Sequence, residues 1–455
     1  MQINSTRVPQ TPPYPPVQDQ VQNRTKLFIE VDDIVADVVD SLNRDASPLP
    51  LVSKEMAPTR PERSDTDQKV AELLRTAKSS LGLSMTFLSR LDGETQHLEV
   101  VESSIPLFHD GQTQPQATSL CQAILDGKLP SVIPNVAKLP EAKRLPAARF
   151  PRIRSYVSVP VSLSDGTLYG TFCAAGFTAD KELSKRDEAL MKVLASAAAT
   201  LVEPGVQERR REAAIRERLE PVFDSGGPSI VLQPIVAFAD GIREGAEALS
   251  RFPAEWGAPP DITFAEATSI GMGVELELIA VRRAITQLQE ISGYLSINFS
   301  PRTLLDPRCL ELLADVPLER IVLELSEHYP VEDYGLITEV LNPLRAKGLR
   351  LAIDDVGAGF SSLRHIVLTS PDMIKLDRSI VDGIATDPLL QKLVNALVDF
   401  GHGSGARVVA EGVETMDDAI VLRSAGVDYA QGWYFARAGT ADQLADSYQV
   451  DDLLE

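Results

Sequence analysis

Apolar residues recur along this chain in two rhythms, and the change between them falls near residue 220. From residue 65 onward, Val70, Leu73, Leu74 and Ala77 keep the spacing of one helix face. Alternating runs follow, Met85-Thr86-Phe87-Leu88 and Leu98-Glu99-Val100-Val101, which predict strands. Residues 120–125 predict a short helix that stops at Gly127. The runs Tyr156-Val157-Ser158-Val159-Pro160-Val161 and Leu168-Tyr169-Gly170-Thr171-Phe172-Cys173 flank Asp165-Gly166, a hairpin signal. A helix over 184–202 closes the segment. Residues 65–203 therefore read as a compact α+β unit, with antiparallel strands between helices.

Beyond residue 220 the rhythm becomes strand, polar strand end, helix. Eight strands are predicted, at 230–237, 245–251, 295–300, 320–327, 349–356, 373–379, 407–414 and 429–435. Strands alternating with helices imply a mostly parallel sheet, and eight such units predict an α/β fold, a (β/α)8 TIM-like barrel over residues 221–447. The charged stretch 204–220 has only a thin apolar stripe of Val206, Ala213 and Leu219. It reads either as a solvated helical linker or as a short dimeric signalling helix continuing from Leu190, Leu194, Ala197 and Leu201. Residues 1–64, rich in Pro, Ser, Asp and Arg, read as a disordered tail, with a Pro-rich partner motif as the other reading. Residues 448–455 form a C-terminal tail.

Composition then excludes some functions. Acidic residues outnumber basic ones by 65 to 44 in 455 residues, a formal charge of −21, which argues against a bulk grip on a nucleic acid polymer or an anionic membrane. Cys121, Cys173 and Cys309 are too few and scattered for a disulfide framework or a zinc site, and suit a reducing cytoplasm. No basic-then-apolar signal opens the chain, and the apolar run 190–202 is shorter than the ~20 residues a spanning helix needs. A soluble, cytoplasmic protein is expected.

The charge also raises a chemical question, because many acids fall at strand ends. In a barrel of this kind the carboxyl ends of the strands share one mouth. Those ends carry Glu247, Asn298, Glu324, Asp354 with Asp355, Lys375 with Asp377, Glu411 and Gln431. Carboxylates so gathered repel one another unless cations sit between them, and hard oxygen donors suit Mg2+ or Mn2+. Glu247, Asn298, Glu324 and Asp354 suit a first ion, and Asp355 with Asp377 a second. Asp355 directly follows Asp354 on a strand, so it needs a turn to reach the same side, a freedom expected from Gly357, Ala358 and Gly359. Lys375 is suited to hold a water or stabilise developing charge, and Glu411 to accept a proton. The stretch Gly357-Ala358-Gly359-Phe360-Ser361-Ser362 is long enough to gate the mouth, with Glu327 placed to anchor it. No Gly-rich phosphate loop followed by Lys and Ser/Thr is present.

Two resemblances cover most of the chain. Residues 65–203 resemble a GAF domain, a small-molecule sensor, through Ser119-Leu120-Cys121-Gln122, Ile133-Pro134-Asn135, Val159-Pro160-Val161 and Gly170-Thr171-Phe172-Cys173. That resemblance leaves the ligand unknown; Cys121 lies where some GAF domains attach bilins, but Gln122 follows where a His often stands, and a buried structural thiol is expected. Residues 221–447 resemble an EAL domain, a cyclic-di-GMP phosphodiesterase family. The runs that carry this are Gln233-Pro234-Ile235, Glu247-Ala248-Leu249-Ser250-Arg251, Asn298-Phe299-Ser300 and Glu324-Leu325-Ser326-Glu327. Asp354-Asp355-Val356-Gly357, Lys375-Leu376-Asp377, Glu411-Gly412-Val413-Glu414-Thr415 and Gln431-Gly432 complete the series.

The EAL resemblance implies hydrolysis of cyclic-di-GMP to linear pGpG with two Mg2+ or Mn2+ ions. It assigns the metal ligands, Lys375 and Glu411 as above, places Gln233, Leu249, Arg251 and Gln431 near the substrate, and gives Glu327 the loop after Asp355. It also implies a homodimer and a first barrel strand that runs antiparallel. Val356, Ala358, Ser326 and Ala438 depart from common family residues, but none is a metal ligand. A catalytically silent cyclic-di-GMP receptor, signalling through partners, is the alternative; the retained ligands and base favour the enzyme.

Overall fold

The computed structural model describes residues 63–149, 152–326, 333–357, 362–446 and 448. The expected N-terminal tail through residue 62, Glu327, nearly all of the gating stretch after Gly357 and most of the C-terminal tail lie outside them. The chain divides into two compact units between Glu208 and Arg209.

In the first unit six strands make one antiparallel sheet. They are β1 (Met85–Leu91), β2 (Thr95–Ser103), β3 (Gln112–Pro115), β4 (Val132–Ile133), β5 (Ser155–Ser162) and β6 (Leu168–Gly176), in the spatial order β3-β2-β1-β6-β5-β4. Alternation sends neighbouring residues to opposite faces. Leu88, Val157, Val159 and Phe172 pack with Val70 and Leu74 of the helix Asp65–Leu81 on one face. Phe87, Tyr156 and Cys173 pack with Leu120 and Cys121 on the other. Helix Asp65–Leu81 starts on a reciprocal cap between Ser64 and Asp67 and stops where Gly82 takes φ 65°.

The closing helix is longer than its apolar run predicts. It extends over Lys185–Asp224 and takes in all of 204–220, despite Pro204 and Gly205. By length and hydropathy it is the one helix among the described residues able to cross a membrane. Its apolar side chains have local work, however. Met191, Leu194, Ala195, Ala198 and Val202 enter the core of the first unit. Ile215, Leu219 and Val222 pack with Ala267 and Leu276 in the second.

The second unit is a closed barrel of β7 (Ser229–Ala237), β8 (Arg243–Arg251), β9 (Tyr294–Phe299), β10 (Ile321–Ser326), β11 (Arg350–Val356), β12 (Met373–Leu376), β13 (Arg407–Ala410) and β14 (Tyr429–Ala430). β7 is antiparallel to both its neighbours, β8 and β14, while the remaining pairs are parallel. Leu323, Leu325, Ile353, Ile374 and Leu376 join the main core that the helices cover. Ile235, Tyr294, Val322, Ala352, Met373 and Val409, with Tyr429, form a separate apolar cluster, the floor of the barrel.

Three strands are shorter than the sequence predicts, β12, β13 and β14. In each the chain leaves the sheet as soon as its polar end residue is placed. Asp377 becomes the N-cap of the helix Arg378–Val381, and Gly412 turns the chain at φ 65° after Glu411. Apolar character continuing through Val413 and Tyr434 imitates a strand because both sides of these turns are packed.

Candidate active site

Strand periodicity builds the site one layer above the floor. Two residues on from Tyr294, Val322, Ala352, Met373, Val409 and Tyr429 stand Ser296, Glu324, Asp354, Lys375, Glu411 and Gln431. On β7, which runs the other way, Gln233 instead precedes Ile235 by two. Glu247 and Asn298 complete the layer from β8 and β9, with Asn298 paired in register with Glu324.

Lys375 is the centre, its side chain only 2% exposed. Its Nζ lies 2.5 Å from Glu411 Oε1, 2.9 Å from Glu324 Oε2, 3.1 Å from Asp354 Oδ1 and 3.4 Å from Glu247 Oε2. Glu247 also accepts from Asn298 Nδ2 at 2.9 Å and Gln431 Nε2 at 2.6 Å. Gln431 donates on to Gln233 Oε1 at 3.1 Å. Ser296 Oγ donates to Glu324 Oε1 at 2.5 Å.

One ammonium faces three buried carboxylates and the partly buried Glu411, and the charges respond unequally. Burial opposes the charge of Glu247, but Lys375, Gln431 and Asn298 outweigh it and hold its carboxyl below the usual range. Burial, joined by the charge of Glu247, pushes Glu324 well up. Burial and then Asp354 do the same to Glu411, and burial raises Asp354 itself. Burial works against the Lys375 charge, yet the surrounding acids keep its ammonium well above its ordinary value. The cluster without added cations is therefore short of positive charge.

Asp355 reaches the site by a different route from the expected one. It takes φ 60° itself, and the ladder between β11 and β12 is irregular between Ile353 and Val356. The extra residue of this bulge turns Asp355 toward the side that Asp354 faces, and Gly357, at φ 111°, only continues the turn. Ser326 Oγ donates to Asp355 Oδ2 at 2.9 Å, so a hydroxyl at position 326 positions this acid.

Carboxylate oxygens of Glu247, Glu324 and Asp354 lie within 4.8 Å of one another, and so do those of Asp354, Asp355 and Glu411. This donor set fits hard divalent cations, and Glu411 Oε1 supports the fit. It is close enough to Lys375 for charge attraction but is not aligned for a hydrogen bond, and is buried without another donor among the described residues. Asp377 joins neither oxygen group; its Oδ1 caps a helix through Ser379 N at 2.9 Å. Leu249 and Arg251 line a cavity of about 660 Å3 that Asn298, Ser326, Asp354 and Asp355 also border.

Two contributors escaped the strand-end reading. Ser296 is fully buried and sits in the floor-plus-two register, a signal that was available. Glu277, on the helix Gly273–Thr286, lines the same cavity and accepts from the Ser300 backbone and hydroxyl and from Thr303 Oγ1. It holds the turn after Asn298, and no local pattern marks that long-range contact.

A family model described as EAL domain matches residues 214–438, and one described as GAF domain matches 64–203. An uncharacterized protein of Mycobacterium tuberculosis is 31% identical over 239 residues, spanning 48% of this chain and 78% of that protein. The chain belongs to the EAL domain family. Its EAL domain is 29% identical over 242 residues to the probable cyclic di-GMP phosphodiesterase PdeB of Escherichia coli, covering 50% of this chain and 46% of that relative. The chain thus spans under half of that curated relative's length. The FimX EAL domain of Xanthomonas citri, solved in complex with c-diGMP, is 25% identical with a TM-score of 0.47, covering 53% of this chain and 99% of that one.

Proposed function

We propose that this chain is a metal-dependent phosphodiesterase that opens cyclic-di-GMP to linear pGpG, under control of a small ligand at its GAF domain. The carrying observation is the Lys375 cluster, in which acids from four strand ends converge on one ammonium with too little positive charge to balance them. The name of the PdeB relative supports the substrate.

In this reading Glu247, Asn298, Glu324 and Asp354 would hold one Mg2+ or Mn2+ ion and Asp355 a second, which Asp377 would join by turning from its helix cap. When bound, such ions neutralise phosphate charge and lower the pKa of an attacking water. The protein's own groups do the rest. Gln233 and Gln431 fix Glu247, and Ser296 fixes Glu324. Arg251, at the cavity wall, offers a guanidinium to a phosphate oxygen, and Leu249 an apolar surface beside it. Lys375 holds the attacking water beside Glu411, and the Glu411 carboxylate takes its proton. The homodimer suggested by the family belongs to the same reading.

Purified full-length protein, incubated with cyclic-di-GMP and Mn2+ or Mg2+, should yield pGpG by chromatography, and none with excess chelator. Binding without turnover in both metals would overturn the enzyme and favour a receptor.

A further inference from the structure

The first unit holds a second buried cluster that this chemistry does not use. Cys121, in the helix Leu120–Leu125, and Cys173, on β6, place their Sγ atoms 3.3 Å apart, and both are buried and free. Their surroundings differ. Cys121 Sγ accepts from Gln96 Nε2 at 3.0 Å and lies 2.9 Å from the Tyr156 hydroxyl. Cys173 donates to Thr171 Oγ1 at 3.2 Å and lies 3.3 Å from Ser158 Oγ. Donors thus gather on one sulfur while the other keeps an acceptor for its proton. Burial opposes ionisation of Cys121, but hydrogen bonding to Cys173, Thr171, Tyr156 and Gln96 outweighs it and brings its thiol below the usual range. Burial and the neighbouring sulfur push Cys173 well up.

A cavity lies beside the pair, lined by Tyr156, whose hydroxyl meets Cys121, and by Leu120, the chain neighbour of Cys121. Phe87 and Gln114 also line it, and its volume of about 110 Å3 is room for a molecule of a few heavy atoms. Gln114 donates to Gln96 Oε1 at 2.7 Å, so a polar chain leads from the cavity wall to Cys121.

We propose that Cys121 and Cys173 form a reversible oxidation site, converted to an intramolecular disulfide by a small neutral hydroperoxide. The Cys121 thiolate attacks one peroxide oxygen and the O–O bond breaks. The departing hydroxide or alkoxide takes up the proton lost by Cys121, leaving a sulfenic acid. Cys173 sulfur then attacks Cys121 sulfur; the S–O bond breaks, the S–S bond forms, and the sulfenic oxygen leaves as water with the Cys173 proton. The two thiols lose two electrons, the peroxide gains them, and a small dithiol reverses the change. The product ties the helix Leu120–Leu125 to the central strands of the sheet.

Cys309 supplies an internal reference, because burial pushes its thiol up to about 12 in the other unit. Reduced full-length protein is exposed to stoichiometric hydrogen peroxide, quenched with a thiol alkylator under denaturation, and mapped without reduction by mass spectrometry. The expected result is a Cys121–Cys173 linked peptide, reversed by dithiothreitol, forming at least about tenfold faster than any oxidation of Cys309. Cys173→Ser should leave a sulfenic acid on Cys121 that a dimedone probe captures. Thiols at 121 and 173 that stay alkylatable, or a linkage to Cys309 instead, would overturn the proposal. The wild-type map decides even if the variant fails to fold.

Discussion

The two units each bury a knot of polar side chains on sheet residues, yet they solve the problem of burial in opposite ways. In the first unit Ser89, Gln96, Thr171, Tyr156 and the two thiols satisfy one another as donors and acceptors, with no ammonium, guanidinium or carboxylate among them. In the barrel, four carboxylates share one Lys375, and oxygens of Glu411 and Gln431 are left without donors among the described residues. A cluster whose donors and acceptors match is complete as it stands; one short of positive charge is completed by a cation from outside. The contrast separates a cluster complete in its own side chains from one that calls for added ions, without any appeal to position in a cleft.

Breaking the contrast is most direct at the base. Glu411→Ala should lower turnover of cyclic-di-GMP by about 10^2–10^4-fold, whereas Tyr156→Phe should leave turnover within about threefold because its hydroxyl partners the Cys121 thiol within the first unit; comparable losses in both would erase the distinction. Next in size, Lys375→Met strips the shared ammonium from Glu247, Glu324, Asp354 and Glu411 and should cost the metal-free barrel about 3–5 kcal/mol. Trp256 and Trp433 are the only tryptophans and both lie in the second unit, so fluorescence during urea unfolding reads the barrel alone. Addition of Mn2+ should recover part of that loss; no recovery would count against the acids as metal ligands. A smaller effect is expected from Ser296→Ala, about 1.5–3 kcal/mol by the same measurement, because Glu324 loses its hydroxyl donor. The least is that of Tyr156→Phe on the first unit, about 0.5–1.5 kcal/mol by calorimetry, since one neutral hydrogen bond is lost.

Most of the fold was legible because alternation and strand-helix rhythm are local. The positions of Glu247, Glu324, Asp354, Lys375 and Glu411 followed, since a strand end in a barrel has few directions to face. The antiparallel β7 was implied only by the family resemblance; its mark, Gln233 preceding the floor residue Ile235 where Glu324, Asp354, Lys375 and Glu411 follow theirs, is visible once the floor is known. What local pattern could not show were features set by distant contacts. The left-handed Asp355 and its bulge depend on how β11 meets β12, and Asp377 serves as a helix cap because β12 ends early. The helix Lys185–Asp224 absorbed the charged stretch because Ile215, Leu219 and Val222 found partners on Ala267 and Leu276, about 50 residues away in sequence.

The floor of the barrel has a consequence of its own. Ile235, Tyr294, Val322, Ala352, Met373 and Val409 seal one end with rings and methyl groups, so the barrel is a cup and not a conduit. In the proposed reaction, reactant, ions and product would share a single doorway, and whatever leaves would pass whatever arrives. The same hydrocarbon plug insulates the acids above it, so their field is directed outward to the mouth, where a visitor would first feel it.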